Sequence, residues 1–281
     1  MKKQQQDGKR SGHRILAAAV LLLVSAFLMI GAAKIPFFAE WYSEHFYPLL
    51  VTTVGRIMGV FPFSVAEICL YLLLAGFVIS AVALIVKCIR HGEPGNRLFR
   101  WISKIALIVA VLAFLYTVGC GINYHRESFS QEEGIVTAYY SVEELTEICL
   151  WLTEEVNAES SAVSRDDSGL MELESPEGEG AVKAMEKLSE IFSSLKGYYP
   201  ETKKVAVSEI LSYQELSGVY SPFTVEANYN GDMVSYNIPF TACHELSHLR
   251  GFMEEREANF IAFLACIGSD RADIYRDGCT A

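Results

Sequence analysis

Three apolar runs without a single charged side chain constrain this chain more than anything else in it. They are Ile15 to Ala33, Ile68 to Val86 and Ile105 to Ile122. At 1.5 Å per residue, 18 or 19 helical residues come close to spanning a hydrocarbon layer about 30 Å thick. Buried core helices are the competing reading, but three such runs so close together favour transmembrane helices, at about 15–33, 66–87 and 103–122. Mean hydropathy is +0.24, too apolar for an ordinary soluble enzyme. The first run also resembles a signal peptide ending at Gly31-Ala32-Ala33. It exceeds the usual apolar core of about 7–15 residues, which favours an uncleaved anchor.

Basic residues give the orientation. Lys2, Lys3, Lys9, Arg10 and Arg14 precede the first run, and Lys87, Arg90, Arg97, Arg100 and Lys104 separate the second from the third. The loop from Lys34 to Glu67 holds only Lys34 and Arg56. The expectation is a multi-pass cell-membrane protein with residues 1–14 as a cytoplasmic basic tail and 123–281 outside the cytoplasm. Residues 41–63 read as an amphipathic segment on the outer interface, and Glu67 as a carboxylate at the second span's edge, still within reach of water.

From Asn123 onward there are 11 Lys and Arg against 29 Asp and Glu. Such an acidic region repels nucleic acid and anionic lipid head groups, leaving the bilayer and a peptide or protein substrate as the expected partners. None of the seven cysteines forms a C-x-x-C pair, so a cysteine zinc site and a thioredoxin-like motif are excluded by spacing. Oligomeric state is not legible.

The chemistry sits near the end, in His244-Glu245-Leu246-Ser247-His248. Residues four apart share a helix face, so His244 and His248 can aim two imidazole nitrogens at one ion. Glu245, one position round, can stand beside the ion and take a proton from water, which is the arrangement of a zinc hydrolase. Asp232 to Asn237 reads as a short strand before this helix, with Pro239 in the helix's first turn and Gly251 just past its end. A second helix from about Met253 to Ile267 presents Ala258, Ile261, Leu264 and Ala265 as an apolar face. Of the glutamates at its start, Glu255 is preferred as third ligand. Asn259 lies one turn further on the same face and can orient a ligand histidine, whereas Glu254 and Glu257 have Ala258 and Ile261 at that offset. The bland alternative is that these glutamates merely favour a helix N-terminus.

Elsewhere in the outer region, a capping box at Ser141 and Glu144 opens a helix running to about Asn157. Residues 164–180 read as a flexible loop. A helix fits Val182 to Lys196 with Met185, Leu188, Ile191, Phe192 and Leu195 inward, and Val205 to Val207 suits a strand. Gly218 to Asn228 has turn chemistry around a β-rich patch. The fold class expected is an α-helical membrane anchor plus an α+β external domain, mostly helical with a small sheet. Such a sheet offers an edge for an extended peptide, with Glu226, Asn228 and Asn237 as candidate edge residues.

Three segments also carry a resemblance. Phe61-Pro62-Phe63-Ser64-Val65-Ala66-Glu67, the stretch from Gly218 to Asn228, and Pro239 to Phe252 with Glu255-Arg256-Glu257-Ala258-Asn259-Phe260 resemble a bacterial membrane-anchored family of zincin-like proteins, allied to the gluzincin metallopeptidases. The resemblance implies a zinc site with His244, His248 and Glu255 as ligands and Glu245 as base. Members of this kind continue further beyond the glutamate helix, so a shortened member is expected here, with Tyr275 the one candidate to stabilise an oxyanion. The resulting expectation is a membrane-anchored zinc metallopeptidase. Its rival is a catalytically inactive, zinc-stabilised membrane protein that binds peptides or envelope components. A transporter subunit has little support, because the spans hold few polar groups.

Overall fold

The computed structural model describes residues 2–91, 94–161, 163–173, 177–270 and 274. Among them, three helices are long and apolar enough to cross a membrane: Gly8–Lys34, Val65–Arg90 and Pro94–His125. The first and third run along each other. Their contact is built on small side chains repeating every seven residues, with Ser11, Ala18, Ser25 and Ala32 buried on one helix and Ser103, Ala110 and Thr117 on the other. Lipid tails are as apolar as leucine, so close approach of backbones at small residues is what holds spans together. The buried hydroxyls of Ser25 and Thr117 bond back to Leu21 O and Ala113 O, four residues earlier, and are thereby satisfied. The second span stands more apart, meeting the third where Trp101 Nε1 donates to Ser80 Oγ at 3.1 Å.

Between the first two spans the chain stays helical from Pro36 to Gly59, interrupted by π-turns at Tyr42–Phe46 and Val51–Gly55. This segment is amphipathic, as its composition suggests, but its inner face packs against the domain that follows the third span. Tyr42, Tyr47 and Val51 are buried, and Tyr47 Oη lies 2.8 Å from Tyr220 Oη. Phe37, Trp41, Leu49 and Ile57 remain exposed on the other side.

The sheet comprises β1 (Lys203–Lys204), β2 (Gly218–Ser221) and β3 (Glu226–Tyr229) in the order β1-β3-β2. β3 pairs parallel with β1 and antiparallel with β2, so β3 is the central strand. The histidine helix, Ile238–Leu249, lies against β2 and β3 on one side and against the helices Glu177–Ile191 and Glu255–Ile267 on the other. Leu246, Leu249, Cys243, Ile261, Ala265 and Met185 fill the space between them and are fully covered.

Several expectations need correction. Asp232–Asn237 is not a strand: it is a turn followed by a single 3₁₀ turn at Ser235–Asn237. Asp232 N donates to Asn230 Oδ1 and Asp232 Oδ2 accepts from Ser212, so local side-chain bonds replace ladder bonds there. The strand expected at Val205–Val207 lies two residues earlier. Val205 N still bonds to Tyr229 O, but the amides of Ala206 and Val207 are taken by the carboxylate of Glu67, at 2.7 and 3.0 Å. Glu67 stands in the first turn of the second span, yet it is covered by protein rather than reaching for water.

Residues 177–180, expected in a loop, already belong to the helix Glu177–Ile191, and Glu174 to Pro176 lie outside the described residues. Ile191, expected inward, is exposed because the helix ends there and the chain turns into Ser193–Leu195. The Ser141/Glu144 capping box is present and the helix it opens runs Val142–Glu159, but its apolar residues Val142, Leu145 and Ile148 are exposed.

Candidate metal centre

Two helices and one edge strand assemble the site. The histidine helix ends at Gly251, whose φ of +96° is a conformation that glycine adopts freely, and this reverses the chain toward the glutamate helix. Phe252 is thereby brought beneath His248, and its carbonyl oxygen lies 2.8 Å from His248 Nδ1. On the glutamate helix, Asn259 Oδ1 lies 2.8 Å from His244 Nδ1. Each Nδ1 is thus occupied as a donor to a carbonyl oxygen. That tautomer leaves both Nε2 lone pairs free to accept a metal or a proton.

Both free nitrogens face Glu255. His244 Nε2 is 3.1 Å from Glu255 Oε2, and His248 Nε2 is 3.6 Å from Glu255 Oε1. One ligand atom from each of His244, His248 and Glu255 lies within 4.8 Å of the others. Ligands bound tetrahedrally at about 2.0–2.1 Å would be separated by about 3.3 Å, so these spacings fit a divalent ion. The neighbouring glutamates face elsewhere. Glu254 pairs with Arg256, and Glu257 accepts from Ser130 N and Oγ. A second convergence of carboxylates, Glu40, Glu44 and Glu132, carries its own cation, since Arg126 pairs with Glu132 at 2.5 Å and approaches Glu40.

Burial tunes these groups. Desolvation lowers the pKa of His244, with the neighbouring His248 adding to the effect, and desolvation likewise lowers that of His248. Neutral imidazole is the ligating form. Glu245 is pushed the other way, well above the usual carboxylate range, first by burial and then by the charge of Glu255, against the opposing pull of a hydrogen bond from the Tyr220 amide. A carboxyl with raised proton affinity suits a general base. Its Oε2 is buried and has no hydrogen-bond partner among the described residues.

Gly218 allows β2 to come this close: a Cβ there would fall 2.5 Å from Glu245 Oε1. The site opens into a cleft of about 710 Å³, with the histidines, Glu245 and Glu255 on one side and β2 along another. The far wall is the C-terminal end of the third span, contributing Tyr116, Cys120 and Tyr124.

The sequence-derived edge residues are placed differently from one another. Asn237 lines the cleft from the 3₁₀ turn rather than from a strand. Glu226 and Asn228 are not edge residues, because they sit on the central strand and are buried. Glu226 turns toward the second span and accepts from Val65 N, Ala66 N and Lys203 Nζ. Asn228 donates to the carbonyls of Val219 and Glu226. Tyr275 lies outside the described residues. Sequence reasoning missed Tyr116, Cys120 and Tyr124. Their four-residue spacing on one helix face was the available signal, masked by an apolar run that reads as a membrane span.

Residues 42–275 match the family described as "Protein of unknown function (DUF3810)". The chain belongs to the DUF3810 family. The matched stretch holds the second and third spans, the sheet and both site helices, so the DUF3810 unit joins the cleft to the third span, which walls it. No curated protein and no solved structure matches the chain.

Proposed function

We propose that this DUF3810 protein is a zinc-dependent, membrane-anchored peptidase of zincin-like, gluzincin type. In this reading the N-terminus is cytoplasmic and the domain after the third span is extracytoplasmic. The observation that carries it is the convergence of His244 Nε2, His248 Nε2 and the Glu255 carboxylate beside the partnerless Oε2 of Glu245. The resemblance of the His244–His248 and Glu255–Asn259 segments to gluzincins supports the same reading, and the basic residues flanking the spans support the orientation.

His244, His248 and Glu255 would hold the ion, and two imidazoles with one carboxylate suit zinc. When bound, it supplies Lewis acidity toward a carbonyl oxygen and toward water. The chain's own residues do the rest. The β2 edge aligns an extended peptide so that its scissile carbonyl faces Glu245. Glu245 accepts a proton from the attacking water as the C–O bond forms, then delivers it to the amine as the C–N bond breaks. Asn259 and the Phe252 carbonyl keep both imidazoles oriented throughout.

The test uses full-length protein in lipid nanodiscs. Elemental analysis is expected to find one zinc per chain, lost in a His248→Ala variant. Labelled casein is expected to be cleaved by the wild type, with cleavage lost on chelation and restored by zinc. Glu245→Gln should retain zinc and lose at least about a hundredfold in turnover, as expected when a general base is removed. Zinc bound without any turnover would instead identify a non-catalytic, peptide-binding module. Cleavage by Glu245→Gln at the wild-type rate would overturn the assigned role.

A further inference from the structure

The cleft meets the bilayer. Lys104 is the last basic residue at the inner end of the third span, and Ile105 to Tyr124 is 20 residues. At 1.5 Å per residue that is about 30 Å, the thickness of the hydrocarbon layer, which puts Tyr124 at its outer margin and Tyr116 about 12 Å deeper. Both tyrosines are partly exposed, and Tyr124 stands at the depth of an interfacial aromatic belt. The same residues form the far wall of the cleft that holds His244, Glu245, His248 and Glu255.

β2 runs from the site to the third span. Gly218, at one end, lies against Glu245, where a Cβ would come within 2.5 Å of Oε1. Just past its other end, the hairpin turn rests on the third span. Pro222 O would be 2.2 Å from a Cβ at Gly119, and Tyr220 Oη donates to Gly119 O at 3.1 Å. From Gly218 to Ser221 is three strand steps, about 10 Å. Phe223 is exposed in the turn beside the span.

From this geometry we infer that the substrate is a polypeptide anchored in the same bilayer, laid along β2 as an extended segment and cut within a few residues of its anchor. This rests on the peptidase reading and adds to it where the cut falls. An anchored chain emerging beside Tyr124 and the hairpin turn reaches Glu245 after about three or four extended residues. It is also held at the membrane surface, which raises its effective concentration at the cleft without any new contact.

The test is photo-crosslinking in proteoliposomes, with full-length Glu245→Gln so that captured chains are not cut. A p-benzoylphenylalanine replaces Val219, exposed on the cleft strand, or Tyr213, exposed and outside the cleft lining. The probes are a single-span polypeptide with a 20-residue extended outer tail (about 66 Å of chain) and the same tail without its span. Position 219 is expected to capture the anchored probe at least about tenfold more than the free tail, through tail residues within about five of the span, with neither captured at 213.

Equal capture of both probes at 219, capture through tail residues beyond about ten (roughly 33 Å), or no capture at 219 overturns the inference. The peptidase reading is judged separately. Zinc-dependent cleavage of casein together with any of these results leaves the peptidase in place and removes only the anchored substrate.

Discussion

A buried carboxylate survives only where donors surround it, and two such carboxylates fasten the second span to the domain that follows the third span in opposite directions. Glu226, on β3, accepts from the first amides of the span, Val65 N and Ala66 N, and from Lys203. Glu67, on the span, accepts from Ala206 N and Val207 N just before the helix Ser208–Tyr213. Each carboxylate thus meets amides at the start of a helix, where the dipole favours negative charge. Neither role was legible in the sequence, because the amide partners lie some 140 to 160 positions away, as with Glu67 and Val207 or Glu226 and Ala66. Local pattern could only mark Glu67 as a boundary charge and Glu226 as a polar strand residue. Replacing one partner of a buried ion pair costs about 3–5 kcal/mol because the other is left uncompensated. Glu226→Met leaves two amides without their acceptor and the Lys203 ammonium with only Met58 O, whereas Lys203→Met leaves Glu226 its amide donors. The midpoint of thermal unfolding in detergent should therefore fall further for Glu226→Met than for Lys203→Met; equal falls would show that the amide bonds contribute nothing.

At the scale of elements, periodicity was the reliable guide and short polar segments were not. The histidine helix, the glutamate helix and the capping box at Ser141 each follow from spacing or local chemistry that a few consecutive residues contain. The misplaced strands at Asp232–Asn237 and Val205–Val207 fail because three to six residues with side-chain acceptors nearby bond locally or to a distant carboxylate. The seven-residue recurrence of Ser11, Ala18, Ser25 and Ala32 against Ser103, Ala110 and Thr117 is a further periodic signal, hidden inside runs that are apolar all round. It sets the position of the third span, and with it the cleft wall at Tyr116, Cys120 and Tyr124. Filling a well-packed contact with extra methylenes costs about 1–3 kcal/mol. Ala110→Leu should lower the unfolding midpoint in detergent, while Val109→Leu, one position round on an exposed face, should leave it unchanged. A matching loss in both variants would mean that the seam does not hold the two helices together.

For the whole molecule, the distribution of charge and the position of the cleft bear on the same question, namely which side of the membrane the site faces. The first 122 residues hold 12 Lys and Arg against 5 Asp and Glu, with all the basic residues except Lys34 and Arg56 at the ends of the spans remote from the domain that follows the third span. The acidic remainder, with 29 Asp and Glu, carries the sheet and both site helices. If basic loops stay in the cytoplasm, the cleft opens on the opposite face, and the protein's own cysteines can report it. Cys149 is exposed on the helix Val142–Glu159, and Cys88 is partly exposed near the basic end of the second span. In variants that retain one of these cysteines and no other, a membrane-impermeant maleimide added to intact cells should label Cys149. Cys88 should react only after permeabilisation. The reverse pattern would turn the molecule over, place His244 and Glu245 in the cytoplasm, and require the anchored substrate to present its cleaved segment there.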